Sequence, residues 1–243
     1  MKSRTIDAVI AANREGRSVA LATELKTGTQ LYLDGDTPEG DLALDAAALT
    51  AMREALRSGR NTTLETPAGR VFVQVFSPSR RCLVVGAVHI AQPLVPMLIA
   101  CDYQPIVIDP RGAWATEARF PGVQLSTEWP DEAMEQLKPD RASAIVALTH
   151  DPKIDDPALV AALRSDAFYI GALGSRRNHE RRLQRLAAEH GFGPEQLARI
   201  HGPIGLNLGA VSQAEIAVSI IAEMTQVLHR GATAKGAIKA AAE

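Results

Sequence analysis

Apolar positions along residues 5–15 fall at Ile6, Val9 and Ile10, the i, i+3, i+4 spacing of one helix face, with Gly16 as a stop. The runs SVALATEL (18–25) and TQLYLDG (29–35) have strand character, and Lys26-Thr27-Gly28 between them predicts a hairpin. Residues 43–58 are rich in Ala and Leu and predict a helix closing at Gly59. NTTLET and RVFVQVF then flank Pro67-Ala68-Gly69, a second hairpin signal. Residues 1–76 are therefore expected to form a small α+β domain, ending at the linker Ser77-Pro78-Ser79.

Beyond the linker the pattern changes to short unbroken apolar runs: CLVVGA (82–87), PIVID (105–109), AIVAL (144–148) and FYIGAL (168–173). Each meets turn residues at its end, and most lead into a helical pattern. Strands of this kind are buried on both faces, as in a parallel sheet of βαβ units. The fold class expected over 80–230 is α/β, a doubly wound parallel sheet of Rossmann-like type. A long helix is expected from about Ser212 to His229, with Ile216, Ile220, Ile221 and Met224 on one side, an apolar side suited to pairing with a second copy. Residues 231–243, GATAKGAIKAAAE, read as a flexible tail.

Composition narrows the function classes. A chain of 243 residues builds a core without staples, and 26 Lys+Arg against 28 Asp+Glu leave a net charge of −2, so nothing global draws it to nucleic acid or to an anionic membrane. Any cationic site must be local. The two cysteines, Cys82 and Cys101, form no C-x-x-C pair, so no metal site is expected and both read as small buried residues. Asp7 and Asn13 interrupt the first apolar stretch, which predicts neither a signal peptide nor a membrane span and a cytoplasmic protein.

In open α/β sheets ligands bind beyond the carboxyl ends of the strands, so the residues following each apolar run carry the chemistry. Gly86-Ala87-Val88-His89-Ile90-Ala91 aligns on the G-x-G-x-x-G/A fingerprint, and Asp109 ends the second strand about where that fingerprint expects an acid. Val88 stands where a glycine would admit a pyrophosphate, which weakens NAD(P) binding in the usual pose. Asp109 suits a ribose hydroxyl and Arg111 a phosphate, or the two form a local ion pair. Thr149-His150-Asp151 follows the third run: His150 is a candidate for proton transfer with Asp151 fixing its tautomer, although Asp before Pro is also ordinary turn chemistry.

After the fourth run come Gly174, the candidate N-cap Ser175, and Arg176 and Arg177 in the first helical turn. The helix dipole disfavours cations there by roughly 0.3–1 kcal/mol each, whereas a bound anion would meet both the arginines and the free amides. Arg181 and Arg185, further along, read as a solvated face. A last glycine-rich loop, from Gly202 through Pro203 and Gly205 to Gly209, precedes the final helix, where Ser212 to Glu215 is an S-x-x-E capping box. No G-x-S-x-G elbow, H-E-x-x-H pair or P-loop occurs.

Taken in order, GAVHIAQPL, VIDPR followed by ARFPG, ALTHDPKIDDPAL, YIGALGSRR and HGPIGLNLGAVSQAEIAVSIIAE closely resemble the C-terminal Rossmann domain of the XdhC/CoxF family. Its members are accessory proteins of xanthine dehydrogenase and related molybdenum hydroxylases. The resemblance covers about residues 80–230. It implies a chaperone that binds the molybdenum cofactor, as molybdopterin or its dinucleotide form, and supports its sulfuration and insertion into an apo-hydroxylase, with a sulfurtransferase as a further partner. Carried over by position, it marks Gly86, His89, Asp109, Arg111, Thr149, His150, Asp151, Gly174, Ser175, Arg176, Pro203 and Gly205. Many members have glycine at the position of Val88 and Gly-Gly-Gly-Cys and Cys-Gly-Gly segments in the N-terminal domain; residues 1–76 here contain no cysteine. That favours cofactor binding or delivery over direct sulfur handling. An NAD(P)-dependent oxidoreductase and a docking module on the hydroxylase are the alternatives.

Overall fold

The structure is a computed structural model describing residues 3–67 and 69–230; the tail expected over 231–243 lies outside them. Two compact units divide the chain, Met1–Pro78 and Ser79–Glu243.

In the first unit α1 (Ser3–Arg14) precedes β1 (Val19–Glu24), β2 (Gln30–Asp34), β3 (Thr37–Gly40), α2 (Ala46–Ser58), β4 (Thr62–Thr66) and β5 (Gly69–Phe76). The strands form one antiparallel sheet in the order β3-β2-β1-β5-β4, and both expected hairpins are present. The amides of Lys26 and Thr27 donate to the Glu24 carboxylate, which holds the first turn. Alternation sorts the faces: Ala20, Ala22, Leu31 and Leu33 pack with Met52 and Ala55 of α2, while Val19 points to the other side and meets Val9 and Ala12 of α1. Of the helix face expected from Ile6, Val9 and Ile10, only Val9 is buried. The patch on Val19, rimmed by Tyr32 and Phe76, accepts the narrow stripe of Val9 and Ala12 and leaves Ile6 and Ile10 exposed.

The second unit runs β6 (Arg80–Val85), α3 (Ala91–Ala100), β7 (Tyr103–Ile108), β8 (Gln124–Ser126), α4 (Pro130–Leu137), β9 (Ser143–Ala147), α5 (Pro152–Arg164), β10 (Tyr169–Ala172), α6 (Arg176–His190), α7 (Pro194–Leu197), β11 (Ile200–His201) and α8 (Gln213–Arg230). All six strands are parallel, in the order β11-β10-β9-β6-β7-β8. Counted within this unit that is 3-2-1-4-5-6 read from the β8 edge, the doubly wound Rossmann order. Cys82 and Val84 face α3 and α8, and Leu83 and Val85 face the layer of α4, α5 and α6, so the unbroken runs are unbroken because each strand is covered twice.

Two expectations are corrected here. Cys101 caps the end of α3 and is exposed; only Cys82 is buried, with its thiol pushed up by burial. The apolar side of α8 packs into the core beside α3, with Ile220 and Met224 fully buried, so it is not a free face for self-pairing. Among the described residues no helix is long and apolar enough to cross a membrane.

Candidate functional site

The strand order reverses between β6 and β9, and the turns leaving these two strands touch. A Cβ on Gly86 would lie 2.4 Å from Cγ2 of Thr149, and Gly86 has φ +103°, so glycine is required twice over: by backbone conformation and by the approach of Thr149. The Ala87 amide donates to Oδ2 of the fully buried Asp109 at 2.8 Å, joining the ends of β6 and β7.

Asp109 is fully engaged. Its Oδ1 accepts from the amide and Nε of Arg111, and its Oδ2 from Nη2 of Arg111 as well as from Ala87. Burial pushes this carboxyl up, but the hydrogen bonds from Arg111 and Ala87 prevail and hold it below the usual carboxylate range. The local ion pair is thus the observed arrangement: Asp109 braces the loop rather than presenting a free carboxylate to a ribose, and Arg111 faces outward. Arg119 donates to the carbonyls of Ala87 (2.6 Å) and Trp114 (2.7 Å), and both guanidinium carbons lie 5.3 Å from the Trp114 ring centroid. His89 meets the same ring edge-on at 6.2 Å.

The Thr149-His150-Asp151 turn is organised from below by Asp155, one turn into α5 and fully buried. It accepts from Thr149 Oγ1 (2.6 Å), the Thr149 amide (3.2 Å) and the His150 amide (3.0 Å), and Nη2 of Arg182 lies 3.4 Å away. Burial pushes its carboxyl upward against the pull of Thr149 and Arg182. These bonds hold His150 in the left-handed region at φ +65°. Asp151 does not fix the His150 tautomer: its carboxylate accepts the Lys153 amide and caps α5 ahead of Pro152, the turn reading of this dipeptide.

Arg182 reaches back along α6 and also donates to the Leu173 carbonyl at 2.9 Å, so one buried guanidinium ties the His150 turn to the Gly174 turn. Gly174 has φ +141°, and a Cβ there would sit 3.7 Å from His150 Nδ1. Ser175 caps α6 by accepting the Asn178 amide, and the first turn contains no acid. Arg176 and Arg177 are exposed there. Of the other α6 arginines only Arg181 is a solvated cation; Arg185 binds Asp156 through two bonds of 2.8 and 3.1 Å, and Arg182 is 4% exposed.

The last loop folds over β10. The Ile204 amide donates to the Ala172 carbonyl and its side chain fills the space above Gly171. Gly202 lies against His179 of α6, Pro203 after the cis peptide is exposed, and the Gly205 amide donates to Glu223, which also accepts the Tyr169 hydroxyl at 2.6 Å. Glu215 caps α8 through the amides of Val211 and Ser212.

The model of the XdhC Rossmann domain matches residues 82–224, more than half of the chain. The chain belongs to the XdhC family. Among curated members it is 30% identical over 161 residues to a Bacillus subtilis protein named as a probable xanthine dehydrogenase subunit (66% of this chain, 46% of that one). It is 31% identical over 156 residues to the molybdenum cofactor insertion chaperone PaoD of Escherichia coli (64% and 42%). The aligned segment thus spans less than half of each relative. A crystal structure described as a xanthine dehydrogenase from Bacillus halodurans superposes with a TM-score of 0.68 at 22% identity, over 93% of this chain and 64% of that one, and supports the fold.

The five blocks that carry the XdhC resemblance are therefore the five loops at one end of one sheet. Gly86 meets Thr149, Asp109 meets Ala87 and Arg111, and His150 meets Gly174; Arg176 and Arg177 stay apart from these contacts, on the open first turn of α6. A groove of about 940 Å³ among α4, α5 and α6 is lined by none of the candidate cofactor-binding or catalytic residues. Sequence reasoning counted Arg182 only as one of the α6 arginine cluster, missed its pairing with Asp155, and missed Trp114 and Arg119. No local pattern marked either pair, because each acts through contacts between distant segments. Among the described residues no cluster of three or more His, Cys, Asp or Glu side chains is arranged to hold a metal ion.

Proposed function

We propose that this chain binds the molybdenum cofactor at the strand-end loops of its second unit and delivers it to an apo molybdenum hydroxylase of the xanthine dehydrogenase type in the cytoplasm. The observation that carries the reading is the start of α6. Two exposed arginines occupy a first turn without acids, beside a glycine turn and His150, where amides and dipole already favour an anion. The terminal phosphate of a pterin cofactor is such an anion. Support also comes from family membership and from the named role of PaoD.

The residues present suit the cargo. Gly174 keeps the turn beside His150 free of a side chain, Ser175, Arg176 and Arg177 would hold phosphate, and Thr149, His150, Pro203 and Gly205 would line the remainder of the site around Gly86. The chain's own task is binding and release: the phosphate neutralises the arginines, and His150 supplies one hydrogen bond. The cysteine-free residues 1–76 make direct sulfur transfer by that unit an unsuitable role, and a sulfurtransferase would supply it. An NAD(P)-dependent oxidoreductase is the second reading, favoured by the strand order but opposed by Val88 and by the full engagement of Asp109.

Protein purified from a host that makes the cofactor is expected to release a fluorescent pterin on oxidation. Arg176→Ala/Arg177→Ala should lower retention at least tenfold with stability changed by about 0.5 kcal/mol or less, as for surface positions. A wild-type protein that neither retains pterin nor takes it up overturns the reading, and micromolar NADH binding with turnover would replace it by the oxidoreductase.

A further inference from the structure

We infer that Trp114 and Arg119, with Arg111, form a second ligand station that receives a nucleotide, so that the dinucleotide form is the one this chain takes. The inference rests on the cofactor-binding reading and specifies its ligand.

Three observations converge on the loop after β7. First, Trp114 is held at the surface: the loop that carries it is pinned just after it by buried Ala115 and Phe120, and 38% of the indole residue remains exposed. A large aromatic fixed outside a core that has apolar neighbours to offer is placed for contact with a ligand. Second, Arg119 is a fixed cation with no carboxylate partner among the described residues. Its hydrogen bonds go to the carbonyls of Ala87 and Trp114, which anchor it beside the Gly86 turn without neutralising it. Arg111, clamped by Asp109, is the second cation on the same ring. Third, the fingerprint whose middle glycine normally lets the backbone receive a pyrophosphate has Val88 at that position, so recognition by side chains is called for. Arg119, bonded to the Ala87 carbonyl, supplies such a cation beside the turn.

Spacing then selects the ligand. The Trp114 loop leaves β7 and the Ser175 turn leaves β10, three strand positions apart in the order β10-β9-β6-β7. At about 4.8 Å per strand this is roughly 14 Å. One phosphate serves only one of the two stations. A ligand with an aromatic base, a pyrophosphate and a second heterocycle reaches both, with the base on Trp114 and the phosphate beside it on Arg119.

The test uses the full chain carrying Trp129→Phe, so that Trp114 is the sole indole. Titration with CDP, GDP and ADP is expected to quench its fluorescence for at least one of the three, with inorganic pyrophosphate binding at least tenfold more weakly. Arg119→Met should weaken that nucleoside diphosphate at least tenfold at a temperature where the variant, its midpoint lowered by loss of the bonds to the Ala87 and Trp114 carbonyls, is still fully folded, whereas Arg176→Ala/Arg177→Ala should leave CMP, GMP and AMP quenching within twofold. Equal binding of pyrophosphate and nucleotides, or insensitivity to Arg119→Met, overturns the inference. Mass spectrometry of the heat-released ligand separates the sources, a nucleotide joined to pterin from a nicotinamide dinucleotide. Pterin retained without nucleotide refutes this inference and leaves the proposed function standing; nucleotide bound by a protein that takes up no pterin overturns both.

Discussion

Removing Asp155 should destabilise the second unit out of proportion to the size of the side chain. Asp155→Ala deletes the acceptor for Thr149 Oγ1 and for two backbone amides, and it strands Arg182 as a buried cation. Nε and Nη1 of Arg182 already lack hydrogen-bond partners, so after the substitution only the Leu173 carbonyl remains to it. Breaking a buried pair from one side costs about 3–5 kcal/mol, a large share of the 5–15 kcal/mol typical of a domain. Because the penalty lies mostly in the orphaned charge, Arg182→Met placed on top of Asp155→Ala should recover roughly 1.5–3 kcal/mol, a coupling well above the additive expectation. Urea unfolding followed by tryptophan fluorescence isolates this unit, since Trp114 and Trp129 both lie in it. A cost for Asp155→Ala below about 1 kcal/mol, or a double variant that is simply additive, would refute the account of Asp155 as the organiser of two loops.

Two further expectations follow from the same end of the sheet. Gly86→Ala should cost about 2–5 kcal/mol, part from its positive φ and part from the contact with Thr149 Cγ2, and adding Thr149→Ser should return only the steric part; full recovery in a denaturant titration would show that φ is not strained. Asp109 is held below its usual value in the folded chain, so its contribution is complete above about pH 4 and fades as pH falls through the folded value; Asp109→Asn should flatten that acid limb of the stability curve, and an unaltered limb would contradict the assignment.

How far the fold was legible depended on length and on cover. The four runs at 82–87, 105–109, 144–148 and 168–173 became β6, β7, β9 and β10 because burial on both faces leaves an unbroken apolar signature. β8 and β11 have three and two residues, too few for a period to register, and β3 is an exposed edge strand, TPEG, whose Pro argues against a strand. At the candidate site the backbone devices were legible: glycine where φ is positive, Ser175 as a cap, Glu215 in its box. Long-range pairings were not. Nothing local tells Asp155 from its neighbour Asp156, yet the first is buried against Arg182 and the second sits partly exposed against Arg185. Likewise Asp109 has the right position for a ribose acid, and only three-dimensional contact with Ala87 and Arg111 reveals that its oxygens are already used.

Glu223 lies ten residues into α8, about 15 Å along the helix, yet it receives the amide of Gly205 and so anchors a loop that ended before the helix began. For anyone grafting strand-end loops between relatives to exchange ligand preference, the natural cut at Ser212 is therefore misplaced. A transplanted 202–209 segment arrives without its anchor unless the acceptor already has a carboxylate at the matching helical position. The smallest transferable unit extends through Met224.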